Sequence, residues 1–252
     1  MVKLSVNVNK VATLRNSRGG TLPSVVEAVR VCVDAGAPGI TVHPRADERH
    51  IRRQDVFEVA AFLGKCPGIE FNIEGDPRPD LLGMVRQVRP AQCTLVPVMP
   101  GEITSQAGWP IGTPAAELGP VVKDLQRHGV RVSLFIDPDE AAVRWAHSLG
   151  ADRIELYTEP FAQAFAVDRA AGERLFRRYA DAATLAHSLG FGINAGHDLD
   201  LANLVLFRTL PHLDEVSIGH ALIGHALYVG LDRAVRDYLS AIAAACRAAH
   251  KV

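Results

Sequence analysis

The sequence predicts a single-domain α/β fold, a (β/α)₈ barrel of the TIM type with extra helical segments in the loops that follow the strands. Three observations support this fold. The 252 residues match the length of about 250 that is typical of a closed eight-stranded barrel. Short strand-like segments alternate with amphipathic helical segments along the whole chain. Eight strand candidates can be counted, so we expect residues 1–252 to form one domain.

The predicted strands share an apolar, often β-branched character and short length. Such segments are typical of parallel strands that are covered by helices on the outside and pack a barrel interior. The eight strands are predicted at Leu4–Asn7, Gly39–His43, Ile69–Glu74, Cys93–Val96, Val130–Ile136, Arg153–Tyr157, Gly192–Asn194 and Glu215–Ile218.

The helices between the strands have recognisable ends. Asp137, followed by proline and by Glu140 three residues later, is predicted to cap the start of a helix. Glycines 129, 150 and 190 each follow a helical pattern and should adopt the left-handed conformation that ends a helix. A further helix should start at Pro23, with an apolar stripe facing the barrel. Two strand-to-helix connections are long, residues 9–22 and 97–113, and are candidates for functional lids.

Composition excludes several classes of function. A net charge of −1 and a pI near 6.8 provide no overall field to attract nucleic acid or an anionic membrane, so any anion must be held by local groups. No apolar run approaches the ~20 residues of a membrane span, and the chain starts without a signal peptide, so a cytoplasmic location is expected. The four cysteines, Cys32, Cys66, Cys93 and Cys246, lack metal-site spacing and are interpreted as core thiols.

Polar residues cluster where the predicted strands end. Barrel enzymes take their reactive groups from the carboxyl ends of the strands and from the loops that follow. The opposite ends begin at turn glycines such as Gly39 and Gly68, with little titratable chemistry, so one functional face is predicted. The candidates are Asn7, Asn9, Lys10 and Arg18 after the first strand, His43, Arg45 and His50 after the second, Glu74 on the third, Thr104 after the fourth, Glu155 on the sixth, His197 and Asp198 after the seventh, and Gly219 and His220 after the eighth.

These candidates suit acid–base chemistry on an anionic ligand. Burial of Glu74 would raise its pKa and make it a usable proton donor or acceptor, although a structural ion pair is the alternative. Glu155 stands in an apolar strand, where function or a buried salt bridge must explain it. His43 alone could be a core histidine. The Gly-His pairs that end at His197 and His220 fit a phosphate site. No HxH or ExxH spacing occurs at any exit, so no metal is expected.

Several segments together resemble the pyridoxine 5′-phosphate synthase family. They are Val6-Asn7 with Ala12–Gly19, Gly39–Arg45, Arg49–Ile51, Asn72–Glu74, Val132–Asp137, Asn194–His197 and Ile218–Ala221. The resemblance spans the chain and implies condensation of 1-deoxy-D-xylulose 5-phosphate with 3-amino-2-oxopropyl phosphate, without a metal or organic cofactor. It also implies that His43 and Glu74 accept protons, His197 donates one, and Glu155 stabilises the transition state.

The resemblance also implies substrate contacts and assembly. Asn7 and Arg18 would contact the aminoketone phosphate. Arg45, His50 and Thr104 would contact the pentulose phosphate, while Asp198, Gly219 and His220 would surround a phosphate. The family forms symmetric homo-oligomers, with an octamer as the implied assembly.

Departures from the common pattern mark a divergent branch. Asn9-Lys10 replaces Asp-His, Asp198 replaces glycine, and the loop after the fourth strand loses most of its charge. Two other hypotheses follow. Lys10, if desolvated, could form the Schiff base of an aldolase acting on a ketose phosphate. Alternatively, the chain could be a non-catalytic barrel that binds phosphorylated ligands.

Overall fold

The computed structural model describes residues 1–98 and 105–244, which form the predicted (β/α)₈ barrel. All neighbouring strands are parallel, and the last strand pairs with the first, with Val216 opposite Leu4. The strands are β1 Lys3–Asn7, β2 Gly39–Val42, β3 Glu70–Gly75, β4 Gln92–Leu95, β5 Arg131–Ile136, β6 Arg153–Tyr157, β7 Gly192–Gly196 and β8 Leu213–Ile218. All eight predicted strands are therefore confirmed, with shifts of one or two residues at most of their ends.

Eleven helices lie in the described ranges: α1 Asn9–Asn16, α2 Val25–Asp34, α3 Arg53–Leu63, α4 Pro79–Val88, α5 Ala115–Arg127, α6 Glu140–Ser148, α7 Glu159–Val167, α8 Arg169–Ser188, α9 Leu204–Phe207, α10 His220–Val229 and α11 Leu231–Ala243. Strands β1, β6 and β8 are each followed by two helices, so the extra helical segments are α1, α7 and α10. None of the helices in the described ranges has both the length and the apolar character that a bilayer crossing requires.

The predicted helix ends are mostly correct. Gly129, Gly150 and Gly190 have φ angles of 79°, 73° and 90°, as the helix-ending interpretation requires. The N-cap prediction at Asp137 is wrong. Asp139 caps α6 by accepting a hydrogen bond from the Ala142 amide at 2.8 Å, whereas the Asp137 carboxylate accepts one from the Gly108 amide at 3.3 Å. The cap therefore lies two residues later, because the first carboxylate is engaged by another loop.

The barrel interior is polar, which corrects the expectation that the apolar strand residues pack it. Gln92 on β4 donates a hydrogen bond to Glu215 on β8 at 3.4 Å, and Asn194 on β7 donates one to Gln92 at 3.2 Å. These strands are not neighbours, so the bonds must cross the inside of the barrel. The alternate strand residues, such as Ile40 and Val216, are fully buried in the apolar core shared with the helices.

The amino-terminal ends of the strands also carry more charge than expected. Glu70 pairs with both Lys3 and Arg131, and Arg153 donates a hydrogen bond to Asn194 at 2.7 Å. The expectation of little titratable chemistry at this end is therefore wrong. Lys3 and Arg131 are paired with Glu70, and Arg153 is hydrogen-bonded to a neutral amide at the base of the polar interior.

The cysteine interpretation is correct for two residues. Cys32 and Cys93 are buried, and burial raises the pKa of each thiol to about 12. Cys66 is only partly buried, and Cys246 lies outside the described residues.

Candidate active site

A cavity of about 320 Å³ opens at the carboxyl ends of the strands. His43, Glu74, Glu155 and His197 all line it, although they are far apart in sequence. The other predicted residues along its wall are Asn7, Asn9, Lys10, Arg45, His50, Asp198, Gly219 and His220. Arg18 does not line the cavity and is exposed beyond the end of α1. Thr104 lies outside the described residues.

Glu74 and His43 form a buried pair on neighbouring strands. Glu74 is 8% exposed, and its carboxyl group lies 4.0 Å from His43 Nδ1. It also accepts weak hydrogen bonds from Asn7 and Ser217, each at 3.4 Å. Burial raises the pKa of Glu74 to about 8, so the group is largely protonated at neutral pH and can exchange a proton near physiological conditions.

His43 is held as a neutral imidazole. Burial, followed by the charges of His50 and Arg45, lowers its pKa to about 3. Its backbone amide donates to the Asn9 side chain at 2.9 Å, which fixes the exit of β2 against the start of α1. Among the described residues, none hydrogen-bonds to the buried Nε2 atom. That nitrogen is therefore the available polar atom for a ligand.

Glu155 lies deeper than the other three residues. It is 3% exposed and accepts a hydrogen bond from the Thr94 hydroxyl at 3.4 Å. Burial, followed by the neighbouring Glu74 and Glu215, raises the pKa of Glu155 well above its ordinary value. The backbone of Gly196 on β7 lies against this carboxyl group, so closely that any side chain at position 196 would overlap it. A glycine on one strand thus makes room for a carboxyl group on the next.

His197 occupies a constrained turn at the end of β7. His197 and Asp198 have φ angles of 86° and 60°, a left-handed conformation that residues other than glycine seldom adopt. The Thr158 hydroxyl binds the carbonyl oxygens of Gly196 and His197, which ties this turn to the end of β6. Strain of this kind is found at functional sites when the surrounding contacts fix it.

At the end of β8, the backbone of Gly219 lies close to Asn7 at the end of β1. Gly219 caps α10, and a Cβ atom added there would lie 3.1 Å from Asn7 Cβ. Asn7 in turn accepts a hydrogen bond from the Asn9 amide at 3.0 Å. The start of α10 therefore opens beside Asn7, and helix starts of this kind present free amides to anions.

Two arginines near this mouth have different roles. Arg45 is buried and lines the cavity beside His50, whose pKa is lowered to about 4 by burial and then by Arg45. Arg15 on α1 forms a bidentate buried pair with Asp55. Arg15 therefore joins α1 to α3 and does not face the ligand space.

Comparison with known proteins decides the family. The family described as "Pyridoxal phosphate biosynthesis protein PdxJ" matches residues 4–244. The chain belongs to this family. It is 51% identical over 244 residues to a pyridoxine 5′-phosphate synthase of Porphyromonas gingivalis, covering 96% of this chain and 100% of the relative. It is 49% identical over 253 residues to one from Leptospira biflexa, covering 96% and 97%.

Solved structures support the fold at much lower identity. The native KDPGal structure matches with a TM-score of 0.62 at 10% identity, covering 97% of this chain and 96% of that one. A monomeric form of the phosphoribosylanthranilate isomerase of Thermotoga maritima matches with a TM-score of 0.58 at 12% identity, covering 97% and 100%. These likenesses show the barrel fold alone.

Sequence reasoning missed several residues of this PdxJ-family cavity. Glu159, Ser217, Ser105, Val96 and Phe135 also line it. Ser217 could have been found, since it precedes Gly219 by two residues on the predicted eighth strand. Glu159 could have been found as well, since it lies two residues after Tyr157, the end of the predicted sixth strand, just as Asn9 lies two residues after Asn7.

Glu159, His197 and Asp198 have ligand atoms within 4.8 Å of one another, the one cluster of this kind among the described residues. The Glu159 carboxylate is already bound by the Tyr157 hydroxyl and by Gln163, the latter at 2.7 Å. Its oxygens therefore already have protein donors as partners. We interpret the cluster as a set of contacts around His197.

Proposed function

We propose that this chain is a pyridoxine 5′-phosphate synthase, which condenses 1-deoxy-D-xylulose 5-phosphate with 3-amino-2-oxopropyl phosphate and releases phosphate and water. The observation that carries the proposal is the convergence of His43, Glu74, Glu155 and His197 on one cavity in a member of the PdxJ family. Imine formation, dehydration, phosphate elimination and ring closure each require protons to move on and off carbon and oxygen. Several acid–base groups around one cavity can carry out these proton transfers.

Glu74 is proposed as the central proton acceptor. With a pKa of about 8 it enters the reaction mostly protonated. An ammonium group of the aminoketone beside it would favour the ionised carboxylate, because an opposite charge within a few ångströms lowers a carboxyl pKa. Binding of the aminoketone would thereby convert Glu74 into a base.

His43 and Glu155 are proposed to act in the buried part of the cavity. His43 is neutral, so its ring can accept a proton or a hydrogen bond from substrate without first losing its own charge. Glu155 has a raised pKa and can donate a hydrogen bond from its protonated carboxyl group to oxygen that develops negative charge. His197, at the rim of the cavity, is proposed as the proton donor.

Two regions of the wall are proposed to hold the two phosphates. Arg45 and His50 lie on one side, and the α10 start at Gly219 and His220 lies on the other. A phosphate gains from a guanidinium group and from free helix amides alike. We propose Asn7, Asn9 and Lys10 as contacts between these regions. Arg18, exposed outside the cavity, has no support from the described residues of this chain as a contact within it.

The Schiff-base alternative requires a desolvated Lys10. Lys10 is exposed at the start of α1, which argues against a lysine activated by burial. Incubation with deoxyxylulose phosphate and borohydride, followed by mass spectrometry, provides the test. An adduct at Lys10 would favour the aldolase over the synthase.

The decisive experiment mixes both substrates with the purified chain in metal-free buffer. We expect a new pyridine absorbance and release of inorganic phosphate in equal amounts. Folded protein that binds both substrates without forming product would favour the non-catalytic barrel. Each substrate offered alone is the matched control, because condensation needs the pair.

We also propose a homo-oligomer, such as the octamer implied by the family. Leu227 and Tyr228 on α10 are 72% and 89% exposed, and Leu14 on the adjoining α1 is 53% exposed. Large apolar side chains grouped on a surface support an interface. Light scattering of the purified chain tests this proposal, and a monomer at micromolar concentration would refute it. A cytoplasmic location is proposed because phosphate esters do not cross membranes unaided.

A further inference from the structure

His197 is contacted by carboxylates from two different segments. Glu159 Oε2 lies 3.5 Å from His197 Nδ1, and Asp198 Oδ2 lies 3.6 Å from the same nitrogen. Glu159 belongs to α7, after β6, whereas Asp198 follows His197 directly. Two negative charges directed at one ring nitrogen are unexpected at the wall of a cavity proposed to bind two phosphates, because like charges repel an anionic ligand.

Other groups hold the Glu159 carboxylate and the backbone of Asp198 in place. The Tyr157 hydroxyl donates to Glu159 Oε2, and Gln163 donates to Glu159 Oε1 at 2.7 Å. The ring of Tyr157 also packs edge-on against His197, with 5.3 Å between ring centroids. Asn203 donates to the Asp198 carbonyl oxygen at 3.1 Å, which fixes the left-handed turn from the other side. The contact to His197 is therefore built from supported groups.

Asp198 is ionised in this setting. Its pKa lies below the ordinary value, first because of its contact with the His197 ring and then because of the charges of His197, His220 and Lys10. Lys10 and His220 approach from α1 and α10, so the charged groups around the turn come from three sides of the cavity. An ionised Asp198 is a poor direct contact for phosphate and a good acceptor for an imidazole N–H.

We infer that Glu159 and Asp198 are positioning residues for His197: together they accept its Nδ1–H and so present Nε2 to the cavity. This inference rests on the proposed function and reassigns Asp198 from a phosphate contact to a partner of the proton donor. The arrangement follows the rule by which the hydrogen bond on one ring nitrogen decides what the other nitrogen can do. Distances of 3.5 to 3.6 Å are in the range of acid–base contacts that tighten when a ligand binds.

The two roles predict different kinetics. A phosphate contact acts on binding, so its loss should raise KM with little change in kcat. A positioning pair acts on proton transfer, so its loss should lower kcat. We expect the double variant Glu159→Gln/Asp198→Asn to lose about 10- to 100-fold in kcat, which is less than the roughly 10²- to 10⁴-fold contribution of general acid catalysis because His197 itself remains. KM should change less than about threefold.

The control removes a carboxylate from a histidine elsewhere. Asp124 lies 3.9 Å from His128 Nδ1 on α5, outside the cavity, so Asp124→Asn should leave kcat and KM at wild-type values. Thermal melting of every variant shows whether it is folded. If the double variant does not fold, Asp198→Gly replaces it, since glycine adopts the φ of 60° without strain.

Nitrogen-15 NMR of labelled histidine gives a readout that does not depend on turnover. In the wild type at high pH, where the imidazole is neutral, we expect the His197 proton on Nδ1. In the double variant we expect the signal to move towards the Nε2–H tautomer. A raised KM with unchanged kcat, or a His197 spectrum unchanged by the double substitution, overturns the inference. Wild-type protein that makes no product refutes the proposed function alone, because the NMR result still tests the contact.

Discussion

Replacement of Gly196 by alanine should damage the active site without touching a reactive group. A Cβ atom at position 196 would lie closer to Glu155 Oε1 than real Cβ contacts do, 3.3 Å from Glu155 Cδ and 3.4 Å from the Ser217 carbonyl oxygen. The φ angle of Gly196 is not in the left-handed region, so alanine fits the backbone. The clash therefore falls on the Glu155 carboxyl group.

The expected magnitude follows from that clash. Relief of the overlap requires the carboxyl group to move by about 1 Å, and a displacement of this size in an active site can cost about 100-fold in rate. Overpacking costs about 1–3 kcal/mol, partly offset by about 0.4–1 kcal/mol from the lower entropy of the unfolded alanine chain. We expect a folded protein with a Tm lower by roughly 2–8 °C and a kcat lower by about 100-fold.

The assay is steady-state product formation with both substrates, alongside thermal melting. Gly83→Ala is the matched control, because Gly83 lies within α4 and a Cβ atom there meets nothing within 4 Å. That variant should keep wild-type kcat and gain up to about 1 kcal/mol. In the double variant Gly196→Ala/Glu155→Asp, the shorter side chain should restore part of the lost Tm. Folded Gly196→Ala with kcat within threefold of wild type would refute the positional requirement on Glu155.

Three other predictions follow from burial and exposure. Burial raises the pKa of Glu74 from 4.5 to about 8, so the folded chain keeps a proton that the unfolded chain loses, and wild-type stability falls as pH rises through this window. The Tm of Glu74→Gln minus that of wild type should therefore increase as the pH is raised from 5 to 8, and a constant Tm difference would contradict the raised pKa. The variant should also turn over at least about 100-fold more slowly. Arg15→Met should cost about 3–5 kcal/mol because it leaves Asp55 buried without its cation, whereas Arg30→Met on the surface should cost under about 1 kcal/mol in urea unfolding; equal losses would show that the buried pair is unimportant. Tyr228→Lys should shift light scattering towards smaller assemblies, and an unchanged mass would exclude its surface from the interface.

The fold could be predicted because its determinants are local. Each strand is a short segment between helix-ending and helix-starting signals. Gly129, Gly150 and Gly190 each end a helix through a left-handed backbone conformation that depends on the residue itself. The role of Asp137 could not be predicted in this way. Its sequence context suits an N-cap, but Gly108 occupies its carboxylate, and Gly108 lies 29 residues away in a loop whose path no local pattern fixes.

The polar barrel interior could have been predicted, because polar and apolar residues alternate along the strands. In β6, Glu155 stands between Ile154 and Leu156, and Asn194 on β7 stands between Ile193 and Ala195. We expected apolar residues both on the outer face and in the interior of the barrel. In these strands the apolar residues form the outer face, and the polar residues form the inner face. An alternation of this kind is expected when one face packs on helices and the other contacts polar groups.

The candidate site was predictable where the rule of strand exits applies and failed where helices intervene. Glu74 and His43 converge because parallel strands end at the same mouth of the barrel. Arg18 was chosen as a phosphate contact from its place after the first strand, but its surroundings depend on α1, a helix that was expected only as a long connection. The helix turns Arg15 inward to Asp55 and leaves Arg18 exposed past its end.

The two faces of the barrel strands have different roles. The outward face contributes the apolar core that stabilises the fold, and the inward face carries carboxyl groups whose pKa is raised. The outward residues, such as Val6 and Ile40, are fully buried against helices and supply the apolar core. The inward carboxyl groups of Glu74, Glu155 and Glu215 are buried too, and burial raises the pKa of each. Buried carboxyl groups so close together cannot all ionise, because each added charge disfavours the next. A substitution on the inner face should therefore alter the pH dependence of turnover more than the Tm, whereas a cavity made on the outer face should lower the Tm and leave that pH dependence in place.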